Sequence, residues 1–224
     1  MPSTDPAAFR DRAEAGHALG AEVAAHLGQD GVSGRPLVLA LPRGGVPVGY
    51  EVAGTIGGDL DVVVARKIGM PGRPEFGIGA VSAHGPPMFG AHVHQVDLTG
   101  PEITATVAAE RAEARRRLRR YRGDRPPPDV AGRTVIVVDD GVATGVTATA
   151  ALRQLRMRNP RRLVFATPVC AVETGVALGK EADAIVCLRV PTDFTAVGAW
   201  YEDYRQLTDE DVEAILAEAW NETR

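Results

Sequence analysis

The stretch TVIVVDDGVATGVTATAAL, residues 134–152, runs from an apolar segment into two adjacent acids, then a small-residue loop, then a helical pattern. Val135, Ile136, Val137 and Val138 suit a strand buried on both faces, as in a parallel sheet. Asp139 and Asp140 then fall at its carboxyl end, and open α/β sheets bind ligands in the crevice beyond such ends. Gly141, Val142 and Ala143 carry little bulk, so backbone N–H groups can approach an anion closely, while Thr144 and Thr147 add hydroxyl donors. Gly145 opens a helix whose amino end favours a phosphate. Because successive strand side chains point opposite ways, only one of the two carboxylates can lie straight into the crevice. Carboxylates there can accept hydrogen bonds from the vicinal hydroxyls of a ribose attached to the bound phosphate.

The order of residues resembles the phosphoribosyl diphosphate signature of the type I phosphoribosyltransferases: apolar residues, an acid pair, three variable positions, Thr-Gly, one variable residue, then Ser or Thr. Asp139, Asp140, Thr144, Gly145 and Thr147 fill its fixed positions. A buried strand followed by a plain turn would explain the apolar run, but not this register. The resemblance implies a parallel α/β sheet flanked by helices, the type I phosphoribosyltransferase fold, with a flexible flap and a small C-terminal hood. It implies that 141–147 grip a 5-phosphate, and that Asp139 and Asp140 hold the ribose hydroxyls or Mg²⁺.

Upstream, Leu41-Pro42-Arg43-Gly44-Gly45 stands where a first strand hands over to its helix. The glycines permit unusual backbone angles and leave amides open, and Arg43 supplies a planar multi-donor cation. This stretch looks like the family's diphosphate-binding loop. A second strand over 60–65 ends in Arg66 and Lys67, two cations suited to neutralising a departing diphosphate. An ordinary turn and a solvated basic pair are the bland alternatives. The interval 68–132 is long and rich in Gly and Pro, and in the family this region holds the flap, with Glu75 as a candidate proton-transfer residue. Closure there would exclude water.

The remaining pattern alternates strands and helices. Strands are expected over 37–41, 76–83, 88–96, 163–169 and 184–190, and helices over 5–28, 46–56, 101–122 and 173–181, with a final helix from Thr208. The first helix should bury Phe9, Ala13, Leu19, Val23 and Leu27. One domain spanning 1–224 is the economical division, with a core of 36–190 and the 5–28 helix joined to a hood over 191–224. The segment from Pro191 to Arg205 resembles the base-binding hood of the hypoxanthine-guanine enzymes. The aromatic matching Phe194 stacks on the base there, and Trp200 is a second candidate; the alternative is that both merely pack the last helix. Ala143 points elsewhere, because those enzymes carry an aspartate at its position whereas adenine enzymes read Ala-Thr-Gly.

The formal charge of −4 leaves no global footprint for nucleic acid, so any basic site must be local. Arginines at 111, 115, 116, 117, 119, 120 and 122 crowd one helix. They read as a solvated face with Glu113–Arg117 as a supporting pair, or as the surface of a non-catalytic regulator that binds phosphoribosyl diphosphate and nucleic acid. His92-x-His94 lacks a third ligand. Cys170 and Cys187 suit buried thiols in a reducing compartment, and the absence of an apolar leader core or a bilayer-length run points to the cytoplasm. A receiver-like phosphorylation domain would carry its acids at the first strand, and Walker and Gly-x-Ser-x-Gly motifs are missing. The sequence therefore reads as a transferase moving a phosphoribosyl group from phosphoribosyl diphosphate to a base, Mg²⁺-dependent, membrane-free and homodimeric.

Overall fold

A computed structural model describes residues 9–29, 34–90, 93 and 100–222, with Glu75 and Glu222 described only in their backbones. The main sheet is parallel, in the order β2-β1-β6-β7-β8. Its strands are β1 (Leu37–Ala40), β2 (Asp59–Val62), β6 (Thr134–Val138), β7 (Arg162–Val169) and β8 (Ala184–Arg189). The apolar run of β6 is buried along its whole length, because it pairs with β1 on one side and β7 on the other and is covered on both faces. Alternation splits each strand between two cores. Val38, Ala40, Ile136 and Val138 join α1 (Arg12–Gln29), α2 (Gly45–Ile56) and α6 (Asp209–Glu222) through Leu19, Val23, Val48, Val52 and Leu216. Leu37, Leu39, Val135 and Val137 face α4 (Val146–Arg156) and α5 (Val172–Leu178) through Ala151, Leu152 and Leu178.

Between β2 and β6 the chain forms a second, antiparallel sheet of β3 (Ala65–Met70), β4 (Arg73–Ser82) and β5 (Met88–Phe89), followed by α3 (Pro101–Arg122). This corrects the expected second strand over 60–65. Its main-sheet pairing stops at Val62 because β1 itself ends at Ala40. Arg66 and Lys67 lie beyond that point, paired with Val81 and Ala80 of β4. The stretch 68–74, expected as turns, is mostly strand around a tight reversal at Pro71-Gly72, where Gly72 takes φ +76°. Ile68, Ile78, Val81, Val93, Ile103 and Val107 give this arm a core of its own. The arm expected over 88–96 is described only in part, and His92 and His94 lie outside the described residues. Mobility of this arm stays an expectation.

The first helix begins at Arg12, after non-helical residues 9–11, and the expected start at Asp5 lies outside the described residues. Its buried stripe is Arg12, Ala15, Gly16, Leu19, Gly20, Val23 and Leu27, while Ala13 faces solvent. Phe9 instead forms an isolated parallel bridge with Tyr201. At the other end, a short 3₁₀ turn (Val197–Trp200) leads into α6. A reciprocal cap starts that helix: the Thr208 hydroxyl accepts from the Asp211 N–H, and the Asp211 carboxylate accepts from the Thr208 N–H.

Candidate active site

The loop from Asp139 to Thr147 lies at the carboxyl end of β6 and runs into α4, as its sequence anticipates. Its first half extends the sheet. Val142 donates its N–H to the Val169 carbonyl and its own carbonyl accepts from Ala171, so Val142 packs the loop and offers no free amide, against its expected role as a phosphate contact. Its second half is different in kind. The consecutive N–H groups of 143–148 find no acceptor among the described residues. Gly145 sits at φ +68°, a left-handed conformation that costs glycine little, and no side chain caps the helix. Thr174 donates its hydroxyl to the Ala143 carbonyl, fixing the loop while leaving the N–H side outward. Thr144 is exposed and Thr147 half-buried. A row of unsatisfied donors at a helix amino end is an anion cradle.

The diphosphate-loop candidates stand directly across from the acids. A Cβ built on Gly44 would lie 2.0 Å from Asp140 Oδ2, and one on Gly45 would lie 2.6 Å from the Val138 carbonyl. Only glycine lets the 42–45 backbone come this close. The Pro42–Arg43 peptide is cis, and Arg43 is half-buried with no carboxylate partner among the described residues.

The two acids have unlike surroundings. Asp140 is buried, and its Oδ2 accepts from Arg12 Nε at 2.7 Å. Arg12 is itself buried, donates to the Arg205 carbonyl at 3.0 Å, and lies 4.0 Å from the centre of the Tyr204 ring. Tyr201 donates its hydroxyl to the Asp140 carbonyl at 2.6 Å. Burial, then the negative charge of Asp140, raises both phenols, Tyr204 to about 12. Asp139 is half-buried, and its Oδ1 accepts from the Asp140 N–H at 3.0 Å. Burial first, and the neighbouring Asp140 charge second, push its carboxyl well above the usual carboxylate range.

The hood residues meet this centre through Val197, whose methyl groups lie over Gly141 so closely that a Cβ there would come within 2.3 Å. Phe194 and Trp200 are half-buried, and the Trp200 indole nitrogen has no acceptor among the described residues. Arg66 lies farther out, pairing with Glu110 of α3 at 2.8 Å. With Lys67 it lines a groove of about 410 Å³ between the hairpin and α3. A cleft of about 460 Å³ beside His17, Tyr50 and Glu51 lies at the amino ends of β1 and β2, the end where open sheets do not place ligands.

Most arginines of α3 have partners within the fold, while Arg115, Arg116, Arg119 and Arg120 stay exposed. Arg111 and Arg115 donate to the Gly85 and Ala83 carbonyls, and Arg116 and Arg117 hold Glu113. Arg120 meets Asp209, Glu210 and Glu213 of α6, and Arg122, half-buried, pairs with the buried Asp61. Arg12 is the residue that the sequence concealed. It lies in a helix with no motif, 128 positions from its partner.

The chain matches the phosphoribosyl transferase domain family over residues 12–201. It belongs to that family. The curated Mycobacterium tuberculosis protein "Putative phosphoribosyl transferase Rv0571c" is 38% identical over 215 residues, covering 94% of this chain and 47% of its own length. The chain thus spans about half the length of the curated relatives it matches. The crystal structure of TT1426 from Thermus thermophilus is 45% identical, with a TM-score of 0.79, covering 94% of this chain and 98% of that one. A hypothetical Neisseria gonorrhoeae protein solved with ppGpp shares the fold alone, at 10% identity and TM-score 0.51 over 94% of this chain and 95% of that one.

Proposed function

We propose that the chain transfers a phosphoribosyl group from 5-phosphoribosyl 1-diphosphate to a ring nitrogen of a base, releasing diphosphate. The observation that carries this reading is the run of unsatisfied N–H groups over 143–148, set beside an acid pair and opposite an Arg-Gly-Gly loop. The cradle fits a phosphate monoester, and Arg43 with the backbone of Gly44 and Gly45 fits the diphosphate. The acid pair lies between them, where a pentose joining the two would rest. As the new C1–N bond forms, the C1–O bond to diphosphate breaks and its electron pair leaves with the diphosphate. This chain's share is positioning and fixed dipoles aimed at the charge. Arg66 and Lys67 belong to the reading only if the hairpin of β3 and β4 closes over the crevice.

The hard oxygen donors of the acid pair suit Mg²⁺, which is commonly held by one or two carboxylates together with substrate phosphates. Asp139 is the better fit, because Asp140 already answers to Arg12. When bound, the ion would neutralise charge on the departing diphosphate. Phe194 and Trp200 are the candidate walls of the base pocket. A homodimer and a cytoplasmic setting complete the proposal; among the described residues no helix is long and apolar enough to cross a membrane.

The test is diphosphate release from phosphoribosyl diphosphate and Mg²⁺ across a panel of purines, pyrimidines and nicotinate-like acids. Turnover with one acceptor is expected. Ligand binding with no turnover on any of them would favour the regulator.

A further inference from the structure

A sugar site with two equivalent acids would leave both carboxylates open to the ligand, and Asp140 departs from this. Its Oδ2 is taken by Arg12 on one side and covered by the Gly44 backbone on the other. A Cβ at Gly44 would also come within 2.6 Å of Oδ1, so the loop backbone lies against both oxygens, and a hydroxyl could reach this carboxylate only by displacing the loop or Arg12. Arg12 is in turn held by the Arg205 carbonyl and the Tyr204 ring, so moving it means opening the hood. Tyr201 anchors the same residue through its main chain. Asp139, the half-buried member, has only Oδ1 committed, to an adjacent amide.

We infer that Arg12 is a positioning residue that divides the labour of the acid pair: it commits Asp140 to joining the first helix, the diphosphate loop and the hood, and leaves Asp139 to meet the sugar or its metal. The inference rests on the proposed function for the role of Asp139, while the pairing stands on geometry alone. Charge supplies the reason for such a device. Two uncompensated carboxylates beside a diphosphate would repel it, because like charges this close interact strongly. Arg12 cancels one of them.

The test uses the full chain and four variants: Asp139→Asn, Asp140→Asn, Arg12→Gln and the double Arg12→Gln/Asp140→Asn. Calorimetry gives the Kd for phosphoribosyl diphosphate and for ribose 5-phosphate, both with Mg²⁺, and thermal melts give the midpoints. Asp139→Asn should raise the phosphoribosyl diphosphate Kd roughly tenfold or more, the loss of a charge-assisted bond, without lowering the midpoint. Arg12→Gln exposes the Asp140 charge, so it should weaken phosphoribosyl diphosphate several-fold more than ribose 5-phosphate. Asp140→Asn should weaken binding far less than Asp139→Asn does, and the double variant should recover most of what Arg12→Gln lost. A loss of packing alone would show no such recovery and no such preference between the two ligands.

An Asp140→Asn protein that loses affinity as Asp139→Asn does, with the double variant equally weak, overturns the inference. Midpoint losses from Arg12→Gln and Asp140→Asn that simply add overturn the pairing itself. Failure of the parent chain to bind phosphoribosyl diphosphate sinks the functional reading and the role of Asp139 with it, and leaves the pairing to be judged by the melts.

Discussion

The proposed phosphate cradle and the Asp140 junction touch each other, yet they are assembled in opposite ways. The cradle is one contiguous loop, and its work is done by backbone N–H groups that a helix start leaves unpaired. The junction draws Arg12, Gly44, Asp140, Tyr201 and Tyr204 from four separate parts of the chain and works chiefly through the buried side chains of Arg12, Asp140 and Tyr201. A contiguous site built from main chain tolerates loss of one side chain with its fold intact. An assembled, buried one does not.

That contrast is sharpest for Arg12→Ala. Removing one partner of a buried ion pair leaves the other charge uncompensated, at a cost of about 3–5 kcal/mol. Chemical denaturation should therefore show the largest stability loss here; a midpoint close to that of the parent chain would mean that Asp140 is hydrated after all. Gly44→Ala should follow. Its methyl group would fall 2.0 Å from Asp140 Oδ2, and overpacking of this kind costs about 1–3 kcal/mol. Unfolding curves superimposable on the parent's would show that the loop has room to retreat.

The two regions also differ in what the sequence could disclose. The order of acids, Thr-Gly and Thr located the cradle, because neighbours in sequence are neighbours in space there. β6 was legible too, since a strand buried on both faces must be apolar throughout. The junction was not legible. Arg12 looks like any helix arginine until the fold brings it to Asp140, and an exposed helix face at Ala13 was mistaken for the buried one a residue away. The error at Arg66 and Lys67 has a similar source: Val62 to Val64 read as one apolar strand, but a strand ends where its partner does, and β1 stops at Ala40. Propensity carries no knowledge of the neighbouring strand's length.

Thr144→Val tests the cradle's side of the contrast. Thr144 is exposed, so stability should stay within about 0.5 kcal/mol of the parent's. Affinity for phosphoribosyl diphosphate should fall roughly tenfold if the hydroxyl donates to the 5-phosphate, the loss of one bond to a charged group. Parallel losses of stability and affinity would erase the distinction between the two regions.

The smallest effect belongs to an ion pair that is local in sequence and open to solvent, the counterpart of Arg12 and Asp140. Hydrogen bonds from Arg116 and then Arg117 hold the Glu113 carboxyl down at about 2, against an ordinary value of 4.5. An acid depressed in the folded state adds stability above its unfolded value and loses it as pH falls toward the folded one. Whatever Glu113 contributes is therefore present at neutral pH and fades between about 4.5 and about 2. Exposed pairs of this spacing are worth about 0.3–0.5 kcal/mol, so the change should be slight. Melts of the parent and of Glu113→Gln should differ a little at about pH 6 and converge by about pH 2. A gap at neutral pH as wide as that of Arg12→Ala would mean that burial is not what separates distant pairs from local ones in this fold.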